Sequence, residues 1–154
     1  MPLQMVLQLQ AVTTAVTGQW QPLVVGTQNP ISNEELAKIY NTFDVYIQYA
    51  SNEGFGMCQL EAVQCGVPIM AVDYSAMESV LENVSGIKIP VKSYYIELES
   101  GQKKAVSDID KTADLLKSLY TDKEFLPKVG KEMRRKSLER YQWDDCAARW
   151  IKYY

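Results

Sequence analysis

Glu53-Gly54-Phe55-Gly56-Met57-Cys58-Gln59-Leu60-Glu61 sets two glycines directly ahead of a helix-forming run, with a carboxylate at each end. Gly54 and Gly56 let the backbone take φ > 0 and bring N–H groups close to a ligand, as a residue with a Cβ could not without strain. The first turn of the expected helix, Met57 to Leu60, carries unpaired N–H donors and the positive end of the dipole. The stretch therefore predicts a phosphate or pyrophosphate just ahead of Met57. Glu61 falls on the second turn with its Cβ tilted back toward the N-terminus, so its carboxylate is placed to accept from neutral hydroxyls beside that anion. A ribose diol fits. Glu53, ahead of the helix, faces whatever lies beyond the phosphates, and a polyhydroxylated sugar is the natural partner of a carboxylate there. Taken alone, the same residues fit an ordinary glycine loop with solvated glutamates equally well, because short glycine motifs recur by chance.

Outward from this stretch the chain alternates strand and helix. Ser32 followed by Glu35 is a capping box, and Leu36, Ile39, Tyr40 and Phe43 recur at helical spacing, which predicts a helix over 33–42. The β-branched and aromatic run 44–48 then predicts a strand that delivers Ala50-Ser51-Asn52 to the site at its carboxyl end. The central helix should run from 57 to 65 and stop at Gly66, with Pro68 just beyond. A buried strand over 68–72, a short helix from Asp73-Tyr74-Ser75-Ala76 through Glu82, and a short strand over 86–90 follow. Upstream, Leu23-Val24-Val25 reads as another buried strand, and the uncharged residues 1–21 stay undefined. This order calls for an α/β fold: a Rossmann-like open parallel sheet with helices on both faces.

Residues 91–106 interrupt the alternation. Tyr94–Glu99 and Gln102–Val106 predict an inserted β-hairpin on a two-residue turn, Ser100-Gly101, a register that sets Glu97 opposite Lys104. The hairpin reads either as a flap or docking surface near the site or as a surface decoration. Ser107 is then expected to cap a helix carrying Ile109, Leu115, Leu116 and Leu119. Asp108-Ile109-Asp110 matches an Asp-x-Asp metal motif, but acidic residues in a first turn are what the helix dipole favours, and no metal is expected. From 122 to 140 an amphipathic helix should turn Phe125, Leu126, Val129, Met133 and Leu138 inward. Lys131, Arg134, Arg135 and Lys136 then face mostly outward, as a solvated face or as a peripheral contact with an anionic membrane surface. A last helix is expected over 144–153.

Composition narrows the classes. The chain has 154 residues, 47% of them apolar, enough for one buried core and hardly two. A net charge of −3 argues against nucleic acid as a partner. No run of eighteen apolar residues exists, and the start lacks the basic region of a secretory signal. Cys58 and Cys65 on one helix stand about 10 Å apart along its axis, too far to bridge. Three free thiols, counting Cys146, predict a cytoplasmic chain. With no histidine, acid–base work falls to carboxylates or to another chain.

Residues 51–62, then Gly66-Val67-Pro68, resemble the donor half of the retaining glycosyltransferases of GT-B type, whose signature is Glu-x7-Glu around Gly-Phe-Gly. Ser32-Asn33-Glu34-Glu35-Leu36, Asp44-Val45-Tyr46 and Trp143 resemble the same family, and the likeness runs from about residue 22 to the end. It implies that residues 1–154 form a partial nucleotide-sugar-binding domain, the C-terminal half of such an enzyme. Gly54, Phe55, Gly56, Met57 and Cys58 would hold phosphates and sugar, and Glu61 the ribose. Glu53 would be the catalytic-site carboxylate on the donor hexose, while Gln28 and Asn29 would face the base. The donor is then a substrate, a UDP- or GDP-sugar, and neither cofactor nor metal is expected. The likeness also implies an acceptor-binding domain ahead of Met1, or on a partner chain, which 141–154 would contact. A chain without that domain, and without basic residues before Lys38 to clamp the leaving pyrophosphate, is expected to be inactive alone. A non-catalytic nucleotide-sugar module and a glycoside hydrolase remain as alternatives. The hydrolase needs its carboxylates roughly 5–9.5 Å apart and has no use for a phosphate-binding helix start.

Overall fold

The structure is a computed structural model that describes residues 31–122 and 124–153. The expected strand at 23–25, the undefined 1–21, Gln28 and Asn29 lie outside the described residues. The chain divides into two compact units, Met1–Leu36 and Ala37–Tyr154, each taken by itself. In the first, the capping box forms in both directions. The Ser32 N–H donates to Glu35 Oε2 at 3.1 Å, and the Glu35 N–H to Ser32 Oγ at 3.2 Å. It opens α1, Asn33–Tyr40, whose residues from Ala37 on, Tyr40 among them, belong to the second unit.

In the second unit β1 (Tyr46–Gln48), α2 (Met57–Gln64), β2 (Ile69–Val72), α3 (Ala76–Val84) and β3 (Ile87–Ile89) follow in turn. The three strands pair in parallel in the order β1-β2-β3, with Tyr46 beside Ile69 and Met70 beside Ile87. Each crossover is a helix, as parallel neighbours require. β2 is the centre of the core: Ile69, Met70, Ala71 and Val72 are each 0% exposed, so the strand is covered on both faces. Burying each of the larger side chains contributes about 1.5–3 kcal/mol.

α2 and α3 pack against this sheet, and α5 (Phe125–Arg140) packs across both. The expected inward stripe of α5 is only partly right. Met133 is buried, but Phe125 and Leu138 are exposed, and the buried positions beside Met133 are Gly130 and Ser137. The reason is close approach: a Cβ on Gly130 would stand 2.3 Å from the Gly66 carbonyl oxygen and 3.1 Å from Pro68 Cδ. Small residues let this helix lie on the α2–β2 turn, where large ones would hold it off. The basic cluster is also partly spent inside the protein. The Arg134 Nε–H donates to the Gln64 carbonyl at 2.7 Å, at the negative end of α2, and Lys136 donates to Ser85 Oγ at 2.7 Å, just past α3. Arg135 is bracketed by Glu132 and Glu139.

The hairpin exists as β4 (Val91–Ile96) and β5 (Lys103–Ser107), but its register differs from the expected one. Lys104 stands opposite Tyr95, and the turn is four residues, 98–101, closed by the Gly101 N–H on the Glu97 carbonyl at 2.8 Å. Gly101 takes φ 67° there, a left-handed position a longer loop needs just before β5. Glu97 still reaches Lys104, diagonally rather than directly across. Ser107 ends β5, and Asp108 is the cap of α4 (Ile109–Thr121), its carboxylate accepting from the Lys111 N–H at 3.1 Å. α6 (Trp143–Ile151) ends the described chain with no buried residue.

Candidate functional site

β1 and β2 both point their carboxyl ends at the loops that carry the motif, 49–56 and 73–75. The two loops are joined where the Glu53 N–H donates to Ser75 Oγ at 2.9 Å. Ser75 has φ 56° and ψ −144°, a conformation nearly reserved for glycine, and strain of this kind collects at functional sites. The hairpin braces the same loop: the Ala105 N–H donates to the Ser51 carbonyl at 2.9 Å, and Asn52 Nδ2 to Gln102 Oε1 at 2.9 Å.

The two glycines do different things. Gly56 caps α2 at φ 88°, ψ 52°, the left-handed conformation expected of it. Gly54 does not take positive φ, and a Cβ there would meet nothing within 4 Å, so the expected need for a left-handed glycine at 54 is corrected. Gly56 is constrained twice, because a Cβ would also fall 2.0 Å from Gln59 Nε2. The Gln59 carboxamide is fully buried beneath that turn, and neither of its polar atoms has a hydrogen-bond partner. With the Leu60 N–H already on the Gly56 carbonyl at 3.3 Å, the donors left open at the start of α2 are those of Met57, Cys58 and Gln59.

Both glutamates are tethered. Glu53 Oε1 accepts from the Gly54 N–H at 3.1 Å and Oε2 from Gln48 Nε2 at 3.2 Å, while the Tyr46 hydroxyl donates to Gln48 Oε1. Glu61 Oε2 accepts from the Tyr40 hydroxyl at 2.8 Å. Burial, then this bond to Glu61, drives the Tyr40 hydroxyl far above its ordinary titration range, and burial does the same to Tyr46. Both therefore remain neutral donors. Burial, and then the Glu61 charge, push the half-buried Cys58 thiol up. Each carboxylate keeps acceptor capacity beyond the bonds it makes.

Of the residues singled out in the sequence, the structure thus gathers Glu53, Gly54, Gly56, Met57, Cys58 and Glu61 around the start of α2. Phe55 stands at the edge, half exposed, its ring edge-on to Tyr141 at 6.3 Å between centroids. Sequence reasoning missed Tyr40, Tyr46, Gln48 and Ser75. Tyr46 and Gln48 carried a signal, being alternate residues of one strand and so on one face. Ser75 carried none. Among the described residues no group of three or more His, Cys, Asp or Glu is placed to hold a metal ion, and no helix is long and apolar enough to cross a membrane.

The profile described as "Glycosyl transferases group 1" matches residues 24–136. A D-inositol 3-phosphate glycosyltransferase of Corynebacterium urealyticum is 29% identical over 126 residues, 81% of this chain and 26% of that protein. An MMP alpha-(1->4)-mannosyltransferase of Mycolicibacterium hassiacum is 25% identical over 85% of this chain and 29% of its own length. A shorter match, 32% identical over 41% of this chain and 13% of the relative, is to the UDP-N-acetylglucosamine--peptide N-acetylglucosaminyltransferase GtfA subunit of Streptococcus pneumoniae. Among solved structures, a sucrose-phosphate synthase from Thermosynechococcus elongatus superposes with a TM-score of 0.63 at 22% identity, covering 80% of this chain and 28% of that one. This chain therefore spans less than a third of each of these proteins. On the profile match over most of its length, joined to a parallel α/β sheet of GT-B type, the chain belongs to the group 1 glycosyl transferases.

Proposed function

We propose that this chain is the donor-binding part of a retaining glycosyltransferase, which moves a hexose from a UDP- or GDP-sugar to a glycan, lipid or other acceptor. The observation that carries the reading is the start of α2: a left-handed Gly56 opens three free N–H donors between two tethered carboxylates. The donors and the helix dipole suit a diphosphate. Glu61, held by Tyr40, accepts from the ribose, and Glu53 accepts from the hexose. Gly54, Phe55, Met57 and Cys58 line the approach, the first with open space where a Cβ would stand.

Transfer also requires an acceptor fixed against the donor, and that positioning supplies about 7–11 kcal/mol of barrier lowering. We assign it to a further domain or a partner chain, with the exposed Trp143 and Ile151 of α6 as part of the contact. The names of the relatives, a mannosyltransferase and an enzyme of UDP-N-acetylglucosamine, make GDP-mannose and UDP-N-acetylglucosamine the first donors to try. A thermal-shift panel of UDP, GDP, ADP and their sugars tests the reading. A ligand at a hundred times its Kd stabilises by about 2.7 kcal/mol, which for a domain of this size raises Tm by roughly 5–10 °C. No shift with any nucleotide sugar would overturn it.

A further inference from the structure

The motif accounts for a carboxylate at residue 53 but not for what holds it in one orientation. That comes from β1. Tyr46 and Gln48 share a face of the strand, and the Tyr46 hydroxyl donates to Gln48 Oε1. From the other end of the same amide, Nε2 donates to Glu53 Oε2, 3.2 Å away. The amide meets the carboxylate through its NH2 group, which leaves its oxygen to accept from the Tyr46 hydroxyl. On the other side the Gly54 N–H takes Oε1 at 3.1 Å, and Ser75 Oγ holds the backbone N–H of Glu53 itself. Each carboxylate oxygen is thus fixed from the protein side with acceptor capacity left over. Gln48 and Tyr46 are both half-buried, and an apolar pair would pack in their place without orienting anything.

We propose that Gln48, itself oriented by Tyr46, is a positioning residue that sets the Glu53 carboxylate for the sugar hydroxyls of the donor. It rests on the proposed role of Glu53 and deepens it. A residue that only supports the fold would weaken all ligands together. A residue acting through Glu53 weakens only the sugar's share of the affinity.

Calorimetry gives that share as the affinity ratio of UDP-N-acetylglucosamine to UDP, and of GDP-mannose to GDP, for whichever pair binds. The proteins are wild type, Gln48→Met, Tyr46→Phe, Glu53→Ala and the double variant Gln48→Met/Glu53→Ala. Methionine keeps the length of glutamine and removes the amide, and Tyr46→Phe removes one oxygen, so each checks the other against misfolding. The expected result is that Gln48→Met lowers the ratio about threefold to tenfold and leaves the bare nucleotide unchanged. Tyr46→Phe lowers it less, and Gln48→Met adds nothing once Glu53 is gone. If Glu53→Ala lowers the ratio and Gln48→Met does not, the positioning role is overturned and the function reading stands. If Glu53→Ala leaves the ratio unchanged, or neither sugar nucleotide binds, the role of Glu53 and this inference fall together.

Discussion

Ser75 spends backbone energy at the site, and its cost can be isolated. Ser75→Ala keeps the φ 56° strain and removes the hydroxyl that accepts from Glu53, whereas Ser75→Gly removes both. Ser75→Gly should therefore be the more stable of the two variants by about 1–3 kcal/mol in urea unfolding; equal stabilities would mean the backbone is not strained. The glycines of the motif make a matching pair. Gly56→Ala forces a left-handed residue and a clash with Gln59, and should cost about 1–3 kcal/mol. Gly54→Ala, with open space around it, should stay within about 0.5 kcal/mol of wild type. Glycine spacing alone assigns both the same conformational role. What separates them is the left-handed backbone at Gly56, with the buried Gln59 side chain folded under it, which no local pattern announces.

α5 shows why element positions were legible and their faces less so. Boundaries came close, because capping residues, Gly66 and the proline beyond it act locally. The packed face was half wrong, because apolar periodicity favours large side chains and cannot see a helix that needs small ones to approach a turn. Gly130→Ala separates the two effects. Helix propensity alone would stabilise by about 1 kcal/mol. The Gly66 oxygen 2.3 Å from the new Cβ should instead make the change destabilising, by about 1–3 kcal/mol in the same unfolding assay. The hairpin register slipped for a related reason: Ser100-Gly101 suits a two-residue turn, but Gly101 serves as the left-handed last residue of a four-residue one. At the start of α4, hydrogen bonding to the Lys111 N–H holds Asp108 below its ordinary pKa of 3.8. A depressed carboxylate contributes stability that is present above its unfolded pKa and lost as pH falls through the folded value. Between about pH 5 and pH 2, wild type should thus lose more Tm than Asp108→Asn, which caps without titrating. Parallel loss in both proteins would contradict the capping role.

At the scale of the molecule, the strand–helix alternation was the readable part, since three parallel strands joined by helices have few ways to connect. The carboxyl ends of β1 and β2 then place the motif loop and Ser75 together, as open α/β sheets do with their sites. Tyr40, Tyr46 and Gln48 stayed hidden because each also fits a bland reading as core or strand residue; only the fold brings them to the glutamates. In the proposed function the two glutamates divide one nucleotide sugar between them. Calorimetric titration of wild type, Glu61→Gln and Glu53→Ala with UDP and UDP-N-acetylglucosamine, and with GDP and GDP-mannose, tests it most directly. Glutamine at 61 leaves Tyr40 an acceptor, so the fold is spared while the bonds proposed to the ribose diol are weakened. Glu61→Gln should weaken nucleotide and nucleotide sugar alike, by about fivefold to tenfold, whereas Glu53→Ala should weaken only the nucleotide sugar. Unchanged affinities in Glu61→Gln, or equal losses for both ligands in Glu53→Ala, would contradict it.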